Sequence, residues 1–190
     1  MPTLAAVIPA SWNHDLDHFL ELCAHNPEAV VERTAEGELI IMAPTGGESG
    51  RRNSRLIQIL DSWAMRDRSG VAFDSSTAFV LPNSAIRSPD AAWIRKERWQ
   101  ALTQEERDGF PPLCPDFVVE IRSPTDKLPG LIRKMQEYMQ NGSRLGWLID
   151  PMNKKAYIFR TNQSRESGWV DLLDGEDVLP GLQLDPRELD

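Results

Sequence analysis

Apolar residues recur with two periods along this chain. Leu16, Phe19, Leu20 and Cys23 stand at helical spacing, which predicts a first helix over 13–24, capped by Ser11 or Asn13 and ended by Asn26-Pro27. Gly37 turns the chain into a strand over 38–42, and a tight loop follows over 43–47. Leu56, Ile57, Leu60, Trp63 and Ala64 form the apolar stripe of a second helix, about 50–68, with Gly70 beyond its end. Strands are expected over 71–74, 78–81 and 90–94. Thr103 and Glu106 have capping-box spacing and predict a short helix. The clearest strand is 116–122, rich in β-branched and aromatic residues. A loop bracketed by Pro124 and Pro129 leads to a helix over 130–140. A strand over 145–149, a turn at 150–153 and a hairpin partner over 156–159 follow. The last part, 169–173 and 179–182, reads as short edge elements. This order predicts a layered α/β fold around a mixed central sheet flanked by helices.

Composition narrows the setting. At 190 residues the chain suits a single domain over 1–190, with its core at about 15–185. No apolar run is long enough to span a membrane, and the first residues lack a signal-peptide pattern. Cys23 and Cys114 lie far apart with no CxxC, which predicts reduced thiols in a cytoplasmic protein rather than a zinc site. A net charge of −8 weighs against a general nucleic-acid binder. It leaves room for a metal enzyme, because carboxylates that hold a divalent cation carry negative charge of their own.

The candidate chemistry starts on the 116–122 strand. Side-chain alternation puts Phe117, Val119 and Ile121 on one face, and Asp116, Val118, Glu120 and Arg122 on the other. Glu120 therefore stands in a largely apolar strand, where a carboxylate is costly unless a cation, a metal or hydrogen bonds compensate it. A structural reading pairs it with Arg122 or a nearby lysine. Asp90 follows Pro89, and its structural reading is a turn-forming aspartate. Taken together, two carboxylates on neighbouring strands can hold Mg²⁺. A metal there lowers the pKa of a bound water and offsets charge on a phosphate oxygen. A lysine beside that water would help orient it. Lys134 falls at the margin of the stripe made by Leu131, Ile132, Met135, Tyr138 and Met139, so its long side chain can reach back over the sheet. The alternative is a solvated lysine snorkelling past apolar neighbours.

Several segments occur in an ordered series: Ser88-Pro89-Asp90, Phe117 to Thr125, Lys134 with Tyr138, and Gly146-Trp147-Leu148-Ile149-Asp150-Pro151. With them come Glu32 before Gly37-Glu38-Leu39, the Ala43-Pro44-Thr45-Gly46 loop and Leu179-Pro180-Gly181-Leu182. The series resembles the bacterial restriction-endonuclease family often called the Uma family, within the PD-(D/E)XK nuclease superfamily. The resemblance implies a restriction-endonuclease-like core in which the signature lysine has moved from the strand to the following helix. Glu120-Ile121-Arg122 indeed gives Glu-x-Arg where the usual motif has Glu-x-Lys. It further implies Asp90 and Glu120 as metal ligands and Lys134 as the charge-stabilising group. Glu48 is the candidate accessory acid near the second helix, with Glu32 as the alternative, and Arg122 is a candidate phosphate contact. Two positions depart from the family pattern. Gly130 stands where many relatives have aspartate, with Asp126 as a stand-in, and Asn53 stands where histidine is frequent.

The implied function is a Mg²⁺-dependent endonuclease (Mn²⁺ substituting) that hydrolyses phosphodiester bonds in DNA, with a homodimer as a candidate assembly. The alternatives are a catalytically silent binding or assembly module on the same fold, and an RNA-directed nuclease. His14 and His18 have metal-compatible spacing but no third ligand nearby, so these and His25 read as surface histidines. The tryptophans read as core or interface residues rather than base-stacking platforms.

Overall fold

The computed structural model describes residues 16–26, 29–42, 44–161, 163–169 and 171–190. The expected helix start at 13, its caps Ser11 and Asn13, and His14 lie outside the described residues. Helix α1 spans Leu16–His25. Two strands follow, β1 (Val30–Arg33) and β2 (Leu39–Met42), and then helix α2 (Gly47–Asp67). Arg68 ends α2 in the left-handed conformation, which places the helix end two residues ahead of Gly70.

Strands β3 (Gly70–Asp74), β4 (Phe79–Val80), β5 (Ile86–Arg87) and β6 (Ala91–Arg95) come next. Two short helices, α3 (Lys96–Gln100) and α4 (Gln104–Asp108), precede β7 (Phe117–Ile121). The capping box of α4 forms as the spacing predicts: Thr103 Oγ1 accepts from the Glu106 N–H, and the Glu106 carboxylate accepts from the Thr103 N–H. Helix α5 (Leu128–Gln140) leads into β8 (Leu145–Asp150), β9 (Lys155–Arg160) and β10 (Gln163–Gly168). Strands β11 (Leu173–Asp174) and β12 (Gln183–Leu184) form a small ladder, and a 3-10 turn covers Pro186–Leu189.

The central sheet has six strands in the order β10-β9-β8-β7-β6-β3. Its pairings are antiparallel except β7 with β8, which run parallel through the α5 crossover. A second sheet has the order β2-β1-β5-β4. Strands β1 and β5 and helix α3 are not predicted by the sequence pattern, because two- to five-residue elements carry too few side chains to establish a period. Strand β10 goes unpredicted for a different reason. Its residues Gln163–Ser167 are polar and nearly all exposed, so an edge strand there leaves no apolar signature.

The two faces predicted for 116–122 exist. Phe117, Val119 and Ile121 pack with Leu56, Leu60 and Trp63 of α2 and with Trp147 of β8. Val118 packs on the other face with Met135, Tyr138 and Met139 of α5. Gly146 lets α5 approach that face: a Cβ there would lie 2.5 Å from Met135 Cε and 3.1 Å from Met139 Cε. The sheet is thus mixed and flanked by helices on both sides. Trp63, Trp93, Trp147 and Trp169 are core residues. Cys23 and Cys114 are free thiols. No helix among the described residues is long and apolar enough to cross a membrane.

Candidate functional site

The site lies where the two sheets meet. The chain leaves β5 of the small sheet at Arg87 and enters β6 of the central sheet at Ala91, so Ser88-Pro89-Asp90 spans the junction. β6 pairs with β7 through Ala91 opposite Val119. This register sets Asp90, just ahead of β6, beside the end of β7 that carries Glu120. Asp90 Oδ2 accepts the Ile121 N–H at 2.7 Å and takes the place of a ladder carbonyl. Its Oδ1 accepts from the Asn53 side-chain amide at 2.8 Å. Asn53 sits on the stripe of α2 that continues through Leu56 and Leu60, so core packing of that helix aims the amide at Asp90.

Glu120 is 5% exposed and points toward α5. Lys134, one turn before Tyr138 on that helix, brings its Nζ to 2.7 Å from Glu120 Oε1 and 2.7 Å from Glu32 Oε1. A third, longer contact of 3.4 Å runs from Nζ to the Ser88 carbonyl. The Tyr138 hydroxyl donates to Glu120 Oε1 at 3.2 Å. Glu32 comes from β1, is 2% exposed, and accepts the Ser88 N–H and the Arg87 guanidinium. Arg87 donates in turn to Glu137 of α5 at 2.6 Å.

The electrostatics follow from burial. Burial pushes the Glu120 carboxyl up to about 8; Lys134 opposes the rise, and the charges of Asp90 and Glu32 add to it. Burial also raises Asp90, against the Ile121 N–H, Lys134 and the Asn53 amide. Glu32 is buried too, but Lys134 and Arg87, with hydrogen bonds from Lys134 and Ser88, outweigh that penalty and hold it below its ordinary value. Lys134 rises despite burial, because Glu120 and Glu32 flank it. Lys134 alone would suggest two ionised neighbours, whereas Glu120 resists ionisation. The donor pattern decides between them: Glu32 also receives Arg87 and a backbone N–H, so Lys134 and Glu32 form the charged pair. Glu120 is the acid whose charge lacks a full counterpart. Among the described residues, the ion pairs around it join Glu32, Glu120 and Glu137 to Arg87 and Lys134, and Asp90 also lies within the field of Lys134, so that four acids draw on two cations.

The expected residues thus fall into two groups. Asp90, Glu120, Lys134 and Glu32 come together. Glu48 stands in the exposed first turn of α2 and pairs with Arg51 and Arg52. Arg122 donates to Asp150 at 2.8 Å and to the Asp126 carbonyl, so it is turned to the end of β8. Asp126 caps its own loop by accepting the Ser123 N–H. Arg87 and Glu137 are not among the residues the sequence singles out, Tyr138 figures there only as the companion of Lys134 in the family series, and Asn53 only as a departure. For Arg87 the available signal was its place in a buried segment leading to Asp90. Among the described residues, no three His, Cys, Asp or Glu side chains are arranged as a ready-made metal cluster.

A mixed sheet with helices on both faces, and with paired carboxylates at the end of adjacent strands, is a restriction-endonuclease-like architecture. The solved structure titled "a putative nuclease belonging to DUF820", from Anabaena variabilis, has the same fold: it superposes with a TM-score of 0.76 over 92% of this chain and 96% of that one, at 22% sequence identity. The chain belongs to the Uma2 family, described as "Putative restriction endonuclease", whose model matches residues 16–187. No curated protein matches the sequence significantly.

Proposed function

We propose that this protein is a divalent-metal-dependent endonuclease that hydrolyses phosphodiester bonds of DNA, with Asp90 and Glu120 as metal ligands and Lys134 as the charge-stabilising group. The convergence of Lys134 and Glu120 beside Asp90 carries the reading, supported by membership of the family. The donor set suits Mg²⁺ or Mn²⁺: hard carboxylate oxygens, a local excess of negative charge, and two acids that resist ionising without a cation. When bound, such an ion would acidify a water and offset charge on a phosphate oxygen.

The side chains prepare for that chemistry. Asn53 and the Ile121 N–H fix both oxygens of Asp90. Tyr138 and Lys134 both engage Oε1 of Glu120, which orients the carboxylate that would help hold the ion. Lys134 stays an ammonium, so it acts as a donor rather than as a base. Of its three contacts, the 3.4 Å one to the Ser88 carbonyl is the weakest, and that N–H is the one a phosphate oxygen or attacking water would take.

Supercoiled plasmid incubated with Mg²⁺ or Mn²⁺ tests the proposal. Cleavage is expected from the wild type and its loss from Glu120→Ala and Asp90→Ala; cleavage unchanged in both variants rejects it. A catalytically silent module is favoured by one observation, the engagement of Arg122 with Asp150 instead of the site. Calorimetry showing no Mg²⁺ binding at millimolar concentration would select that second reading.

A further inference from the structure

A second cluster of cations lies at the same end of the central sheet. Arg52 immediately precedes Asn53, the partner of Asp90. Lys154 immediately precedes Lys155, which pairs with Asp150 at the end of β8. Both are covered by a single segment, residues 185–190. The Leu189 carbonyl accepts from Arg51 Nη2 at 3.0 Å and from Arg52 Nε at 3.0 Å. Glu188 takes Arg55 at 2.7 Å. Asp190 takes Lys154, whose Nζ also lies 4.9 Å over the Trp169 ring.

Two guanidiniums aimed at one neutral carbonyl oxygen is an electrostatically incomplete arrangement. A charged oxygen in the same place would bind both more strongly. Glu48, the acid they share, is 70% exposed, and Asp190 adds a longer-range attraction to Arg52. The side chains of Arg51, Arg55 and Lys154 are themselves 44%, 42% and 53% exposed, so a ligand can reach them. Along these cations segment 185–190 lays a carbonyl and two carboxylates, the oxygen acceptors that a phosphate backbone would also present.

We infer that Arg51, Arg52, Arg55 and Lys154 form a rail for a nucleic-acid phosphate backbone, and that residues 185–190 mask this rail by imitating phosphate. The inference rests on the nuclease reading for its choice of ligand. It also places exposed cations at the end of the central sheet that carries the candidate site, in a chain whose net charge is −8. Binding would exchange the segment's weak, exposed pairs for phosphate contacts, so affinity is set by a competition within the molecule.

The test uses the full chain and a fluorescein-labelled 20-base-pair DNA duplex, without metal, across a salt series. Glu188→Gln with Asp190→Asn is expected to bind about fivefold tighter, as two exposed competing pairs are lost. Arg51→Ala with Arg52→Ala is expected to bind at least about tenfold more weakly, and to flatten the slope of log affinity against log salt by about 2. Arg51→Lys with Arg52→Lys keeps the charge, so its slope should match the wild type; this guards against loss of folding. Unchanged affinity in either the unmasked or the alanine variant overturns the inference. So does preferential capture of a polyglutamate peptide by the unmasked variant. Hydrolysis of bis(p-nitrophenyl) phosphate, which is too small to use the rail, reports on the nuclease reading separately. If that hydrolysis requires Glu120 while duplex binding ignores all four cations, the rail fails and the enzyme stands.

Discussion

The two faces of β7 are both buried, by opposite means. On one, Phe117, Val119 and Ile121 meet Trp63 and Trp147 in an interior held by apolar packing. On the other, Val118 is followed by Glu120, and packing gives way to Lys134, Tyr138 and Glu32. The first face gains stability from each atom removed from water. The second holds an acid that resists its charge and a cation shared between acids. Such a face is poorly built for stability and well built to receive a cation. The strand therefore separates what keeps the protein folded from what we propose it does.

That separation can be broken by experiment. Trp147→Ala should cost about 3–5 kcal/mol in denaturant unfolding, while Mg²⁺ affinity of the molecules that remain folded stays unchanged. A change in metal affinity as large as the stability loss would mean that the faces are not independent. Glu120→Gln should do the reverse. DNA cleavage is expected to drop by roughly 10²–10³-fold or more, while the metal-free protein melts no lower than the wild type at pH 8; a large fall in melting temperature would make Glu120 a structural residue.

The pH dependence has a definite sign. Glu120 holds its proton more tightly folded than unfolded, so its contribution is complete below its ordinary value of 4.5 and is lost as pH rises through about 8. Metal-free stability should fall across that window, by at most about 1.4 kcal/mol per pH unit. Added Mg²⁺ should restore more stability at pH 8 than at pH 6, and Glu120→Gln should remove most of the slope. A smaller effect is expected from Asn53→Ala: about tenfold weaker Mg²⁺ binding in calorimetry, because Asp90 loses an orienting donor. The smallest belongs to Glu48→Ala, which should alter stability by less than about 0.5 kcal/mol and leave Mg²⁺ affinity unchanged. Loss of metal binding there would return Glu48 to the site.

Much of this arrangement was legible in the chain. The period-2 pattern of 116–122 gives both faces of β7, and the helical stripe of 130–140 puts Lys134 on its margin, from which it reaches Glu120. What stayed hidden depends on tertiary contacts. Glu32 is available from the sequence only as the alternative accessory acid that the family resemblance offers; Val30–Arg33 is too short to display its alternation, and pairing of β1 with β5 brings it to Ser88 and Lys134. Glu48 has the local marks of a functional acid, at a helix start near glycines, yet the same position is where an exposed acid complements the helix dipole. Arg122 shares Glu120's face by alternation, but β7 ends before it, and Asp150 on the neighbouring strand captures it.

The passage of Ser88-Pro89-Asp90 from one sheet to the other has a consequence for how the two ladders depend on each other. Glu120 belongs to the six-stranded ladder and Asp90 stands just ahead of its β6, while Glu32, the acid that partners Lys134's charge, belongs to the four-stranded one. Loosening of β1 and β2 alone would withdraw that partner while the main ladder stayed intact. Amide exchange should then reveal the smaller ladder opening first, and a ligand that clamps β1 would hold the Lys134–Glu32 pair without touching Asp90 or Glu120.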